Sequence, residues 1–153
     1  MNTVRPVAVA RVSLPIRRPR REVFLALTDP EMLCRFWPRS AGAQVLETGL
    51  TTQWYLGEVP VTVTCVQIVE DQLIRLTLST GARIMLTLDR FDDGGTVVHY
   101  CECGFGAEGD TASQEVSRVT SAAALMLSDL KALLERGAET RARADSQCLP
   151  SAA

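Results

Sequence analysis

The chain has 153 residues, a net charge of -2, 46% hydrophobic residues and 22% charged residues. That length and balance fit one domain with a buried core and exclude wholesale disorder. The lack of a basic excess argues against a nucleic-acid binder. No run reaches the roughly 20 apolar residues of a membrane span, and residues 1–9 lack the apolar stretch of a secretory signal. No membrane insertion is therefore expected, and the expected compartment is the cytoplasm.

Residues 7–14 are rich in Val and alternate weakly, which predicts a first strand ended by Pro15. Pro19 suits the first turn of a helix, where its missing N–H is not needed. Val23, Phe24 and Leu27 share one face of that helix. Asp29-Pro30 breaks it. Asp29 can cap a second short helix with Pro30 at its first position, and Met32, Leu33 and Phe36 form its apolar side. Five strand-like runs follow, at 44–47, 51–56, 59–69, 73–79 and 83–91. Asp92-Asp93-Gly94-Gly95 is a hairpin signal, because Gly and Asp most readily take positive φ. Residues 96–103 then make the last strand. The short connections favour antiparallel pairing.

After a loop at 104–109 the period changes. Val116, Val119, Ala123, Met126, Leu127, Leu130 and Leu134 recur at helical spacing. Thr111 and Gln114 resemble a capping box, and Gly137 is a suitable stop. A helix over 111–136 would be about 39 Å long at roughly 1.5 Å per residue. Residues 138–153 are polar and unpatterned and are expected to form a flexible tail.

Strand parity places Ile74, Leu76 and Leu78 on one face, joined by Ile84, Leu86 and Leu88. Arg75, Thr77, Met85 and Thr87 would face outward. The matching parity of the last strand is Val98, Tyr100 and Glu102, with Val97, His99, Cys101 and Cys103 opposite. A one-residue slip would exchange the two sets. With the first parity, Tyr100 and Glu102 are polar groups on an apolar inner face. A desolvated carboxylate there is suited to proton transfer, which makes the pair the catalytic candidates. The competing reading puts Glu102 in water at the strand end and leaves Tyr100 as a core aromatic.

His99 is the only histidine, and spacing identifies no Asp or Ser partner for it. The five cysteines include no C-x-x-C pair, so no structural metal site is expected. Small buried thiols are the ordinary reading. Arg17, Arg18, Arg20 and Arg21 form a basic cluster, fit either for an anionic partner or for a solvated face. No phosphate loop, dinucleotide fingerprint or serine elbow is present, and no cofactor is expected.

The segment Pro19-x-x-Glu22-Val23-Phe24-x-Ala26-Leu27-Thr28-Asp29-Pro30-Glu31-x-Leu33-x-Arg35-Phe36-Trp37 resembles the opening of the START-like, Bet v 1-like (SRPBCC) superfamily. Its branch related to the activator of the Hsp90 ATPase is the most similar, followed by the polyketide cyclase/dehydrase branch. Asp71-x-Leu73-Ile74-Arg75-Leu76-Thr77-Leu78, Gly95-Thr96-x-Val98 and Leu127-x-x-Leu130-x-x-x-Leu134-Glu135 resemble later segments of the same pattern. The resemblance implies an α+β helix-grip fold over residues 1–137: a curved antiparallel sheet of about seven strands around a long C-terminal helix, with two short helices after the first strand.

The resemblance also implies an internal cavity for a small hydrophobic or polycyclic ligand. Phe36, Trp37, Trp54, Leu76, Leu86, Ala123 and Leu127 are the candidate lining residues. Family members often carry Gly-Trp where this chain has Ala122-Ala123, so either the core repacks or the interior is wider. Three functions follow as expectations: a ligand binder, a cofactor-free cyclase or dehydratase of natural-product assembly, or a protein-interaction module of the Hsp90-activator type. A monomer or a homodimer is compatible with each.

Overall fold

The computed structural model describes residues 7–106 and 109–136. In chain order the elements are β1 (Ala10–Ile16), α1 (Arg20–Thr28), α2 (Pro30–Leu33), β2 (Thr51–Tyr55), β3 (Pro60–Val69), β4 (Leu73–Leu78), β5 (Arg83–Phe91), β6 (Gly95–Cys103) and α3 (Asp110–Arg136). The sheet has six strands in the order β1-β6-β5-β4-β3-β2, and every neighbouring pair is antiparallel. This is the α+β helix-grip arrangement, with six strands where about seven were expected.

The missing strand is the run at 44–47. Leu46 is buried, but its N–H donates to the Thr28 carbonyl at 2.9 Å. Its backbone is therefore tied to the end of α1 and not to a sheet edge. Pro15 does not end β1 either; it sits inside the strand, opposite Val97. β1 is an edge strand, and an edge is where a residue without an N–H is tolerated.

The turn signals act as their chemistry dictates. The Asp29 side chain accepts from the Glu31 N–H at 3.0 Å, with Pro30 opening α2 behind it. Between β5 and β6, Asp92 and Gly94 take φ of 47° and 93°, the left-handed values that reverse the chain tightly. Pro19 stands at the N-cap of α1, and its carbonyl accepts from Glu22 and Val23.

Strand parity follows the sequence pattern. Ile74, Leu76, Ile84, Leu86, Leu88, Val98 and Tyr100 are all buried. The register pairs Leu86 with Tyr100 and Ile84 with Glu102, which puts both polar groups on the inner face. α3 buries Ala112, Val119, Ala123, Met126, Leu127, Leu130 and Leu133, the stripe an amphipathic helix turns to a core.

The C-terminal half of α3 is fastened to the start of the chain. Lys131 Nζ donates to the Pro15 carbonyl at 2.7 Å, Arg18 Nε donates to the Leu134 carbonyl at 3.0 Å, and the Arg17 N–H donates to Glu135 at 3.0 Å. Arg21 is paired with Glu70 and Asp71. Two side chains of the basic cluster, Arg18 and Arg21, are thus engaged within the fold. Gly137, the tail at 138–153 and Cys148 lie outside the described residues.

Candidate functional site

A half-open cavity of about 590 Å3 lies between α3 and the inner face of the sheet. Phe36 and Trp37, just past α2, and Gly104 and Phe105, after β6, line it. Val61, Leu78 and Ile84 supply the apolar floor, and Val119, Ala123 and Met126 supply the helix wall. Leu56 and Leu125 at its rim are exposed, so the cavity opens beside α3, toward the β2–β4 side of the sheet.

Two polar groups converge inside it. The Tyr100 hydroxyl donates a hydrogen bond to the Glu102 carboxylate. Alternation along β6 places these residues two apart on one face, so their side chains stand side by side. Burial pushes the Glu102 carboxyl above its ordinary range, against the opposing pull of the Tyr100 hydroxyl and of Arg118. Burial also pushes the Tyr100 phenol up, and the neighbouring Glu102 charge and hydrogen bond add to the effect. The phenol therefore stays protonated and donating. The carboxyl is the group able to exchange a proton, because its two protonation states lie closer in energy than in water.

Arg118 and Glu115 stand at the mouth on the exposed first half of α3. They form a salt bridge of 2.9 Å, whose hydrogen bond holds the Glu115 carboxyl below its usual range. The pair is solvent-exposed, so its own contribution to stability is small. Its consequence is a charged lip one helical turn above an apolar wall. Sequence reasoning passed over these two residues, although their i,i+3 spacing on the first turns of α3 was a legible signal.

Trp37 is the aromatic hinge of the site. Its ring meets Trp54 edge-on at 5.1 Å and Tyr100 at 6.0 Å, the T-shaped geometry that aromatic quadrupoles favour. The structure thus brings five of the sequence candidates to the cavity wall: Phe36, Trp37, Tyr100, Glu102 and Ala123. Trp54, Leu76, Leu86 and Leu127 lie behind the wall, packed in the core with at most 1% exposure. Trp54 Nε1 is buried there without a hydrogen-bond partner. Ala122 and Ala123 both face the cavity, so the two methyl groups leave open space at that turn of the helix. His99 points to the opposite face of the sheet, where Ser13 and Asp89 flank it.

A curved antiparallel sheet gripping one long helix over a cleft is the architecture of the START-like (SRPBCC) superfamily. The model for activator of Hsp90 ATPase homolog 1-like proteins matches residues 17–135, and the chain belongs to that family. No curated protein matches it.

Solved structures repeat the fold. A protein from Staphylococcus saprophyticus is 25% identical with a TM-score of 0.72, over 84% of this chain and 93% of that one. DynU16, from the dynemicin biosynthetic locus, is 21% identical with a TM-score of 0.71; the match covers 86% of this chain and 49% of DynU16. The Aha1 dimer from Colwellia psychrerythraea is 15% identical with a TM-score of 0.72, over 85% of this chain and 98% of that one. Among the described residues, no helix is long and apolar enough to cross a membrane.

Proposed function

We propose that the chain binds a small, largely apolar, ring-bearing molecule in the cavity, with a hydrogen-bonding group of the ligand directed at Glu102. The observation that carries this reading is the Tyr100–Glu102 pair facing the apolar side chains of Val61, Leu78, Ile84, Val119 and Met126, in a space of about 590 Å3 whose rim is charged. A mostly apolar concavity with a few convergent polar groups is the usual form of a small-molecule site. Its size suits a ligand of two to four fused rings. The edge of Trp37 offers a contact for such a ring.

The same pair supports cofactor-free proton transfer on a bound carbonyl compound. The protein would hold a flexible substrate in one folded conformation, and Glu102 would take or return a proton at the reacting carbon. That is the chemistry of a cyclase or dehydratase. Membership in the Hsp90-activator-like family supports the alternative of a regulatory module, although a shared fold by itself transfers no activity.

The test is native mass spectrometry of the protein purified from its own host, beside the Ala123→Trp variant. The expected result is a retained small molecule on the wild type that is lost from the variant. A ligand-free wild type with a co-purifying protein chain favours the regulatory reading instead.

A further inference from the structure

The outer face of the sheet carries a side-chain array unconnected with the cavity. Ser13 on the edge strand β1 stands opposite His99 on β6, and His99 stands opposite Thr87 on β5. The Ser13 Oγ lies 2.6 Å from His99 Nδ1. On the other side of the ring, His99 Nε2 lies 3.0 Å from the Asp89 carboxylate. Ser13, His99 and Thr87 border a depression of about 250 Å3, together with Arg11, Met85 and Cys101.

The order of contacts fixes the direction of proton flow. A carboxylate accepts only, so in the neutral imidazole Asp89 favours the proton on Nε2. Nδ1 then turns its lone pair toward Ser13, and the serine is the donor. This is the logic of an activated serine hydroxyl: nucleophile, base, and a carboxylate that orients the base. All three groups ride on paired strands, a rigid support for such a geometry.

We propose that Ser13, His99 and Asp89 form a second, hydrolytic site that cleaves small aryl esters of carboxylic acids. Ser13 Oγ attacks the ester carbonyl carbon and its proton passes to His99 Nδ1. The bond to the aryl oxygen breaks, and the departing phenolate takes that proton. Water then attacks the acyl-serine, with His99 again carrying the proton. The net products are the carboxylic acid and the phenol, and Ser13 is restored.

The surroundings set the substrate class. Strand N–H groups lie in the plane of the sheet, so they do not converge over its face as an oxyanion hole. Arg11, two residues before Ser13 on the same face of β1, is the cation placed to stabilise the oxyanion. One exposed guanidinium stabilises less than a closed site does. Esters with good leaving groups therefore react, and amides do not. The shallow depression admits a small acyl group and not a long chain.

The test uses the full chain and para-nitrophenyl acetate. The expected result is cleavage above the buffer rate, with an acetyl group mapped to Ser13 after acid trapping. Ser13→Ala and His99→Gln each lower the rate about 100-fold, the lower end of what a positioned general base supplies. Circular dichroism of both variants checks that they are folded. Asp89 acts by positioning: Asp89→Asn lowers kcat with little change in KM. It also moves the proton off Nε2 in the nitrogen-15 spectrum of the single histidine. A Ser13→Ala variant that keeps the wild-type rate overturns the proposal. So does an acetyl group found on Cys101 or Lys131, or a wild-type imidazole protonated on Nδ1.

Discussion

Glu102 decides the behaviour of the cavity at the scale of single residues. Its carboxyl is raised by burial, so the folded state holds its proton to a higher pH than the unfolded chain does. Between the ordinary carboxylate pKa and that raised value the folded state binds the extra proton, and stability falls as pH rises. Below the ordinary value both states are protonated and the penalty is absent. Glu102→Gln removes this dependence while keeping an oxygen for the Tyr100 hydroxyl. The expected outcome is a variant more stable than wild type at pH 7, with the difference vanishing near pH 3, read from urea unfolding across pH. Tyr100→Phe acts in the opposite sense. It leaves a half-buried carboxylate without its donor and is expected to cost about 1–3 kcal/mol in the same measurement at pH 7.

At the scale of elements, α3 divides into two parts. Four of its seven buried residues fall at Met126 or later, and the ties to Pro15, Arg17 and Arg18 all lie at its C-terminal end. The half over the cavity carries Glu115 and Arg118, which bond to each other. Local opening follows buried contact and tying hydrogen bonds. Native-state hydrogen exchange is therefore expected to be slower for amides of 126–134 than for those of 112–122. Leu127→Ala, at a fully buried position, is expected to cost about 2–5 kcal/mol in thermal or urea unfolding.

The elements were largely legible before the structure, because each rests on a local signal: the Asp29-Pro30 break, the Asp92–Gly95 hairpin, the 3.6-residue stripe of α3. The errors came where tertiary contact overrode that signal. The backbone at Leu46 is captured by Thr28, and Pro15 is allowed inside β1 because that strand has a free edge. Parity placed Tyr100 and Glu102 on the inner face. It could not separate wall from core, since Leu76 and Leu86 share that face with Ile84 and differ only in what packs above them. The Ser13–His99–Asp89 contact was illegible for another reason. It joins three strands, and no spacing along one strand encodes a register across three.

For the whole molecule, the cavity is a place where a ligand can add stability. Its apolar lining is open to water, so a ligand gains by removing that surface from solvent, and a ligand that binds only the folded state stabilises it by mass action. Filling the space from within competes with that ligand. Ala123→Trp is expected to keep the fold and to weaken binding of an apolar probe such as anilinonaphthalene sulfonate at least tenfold, by fluorescence titration. An unchanged affinity would place the probe outside the cavity.

The aromatic cluster has an optical consequence. The chain has two tryptophans, and both belong to the cluster, with ring centroids 5.1 Å apart. At that separation excitation passes freely between the indoles, so emission from both reflects the surroundings of the one at the cavity wall. Trp37 forms that wall, while Trp54 is shielded from solvent. The protein therefore carries a built-in, label-free reporter: a molecule entering the cavity changes the intensity or colour of its whole tryptophan emission.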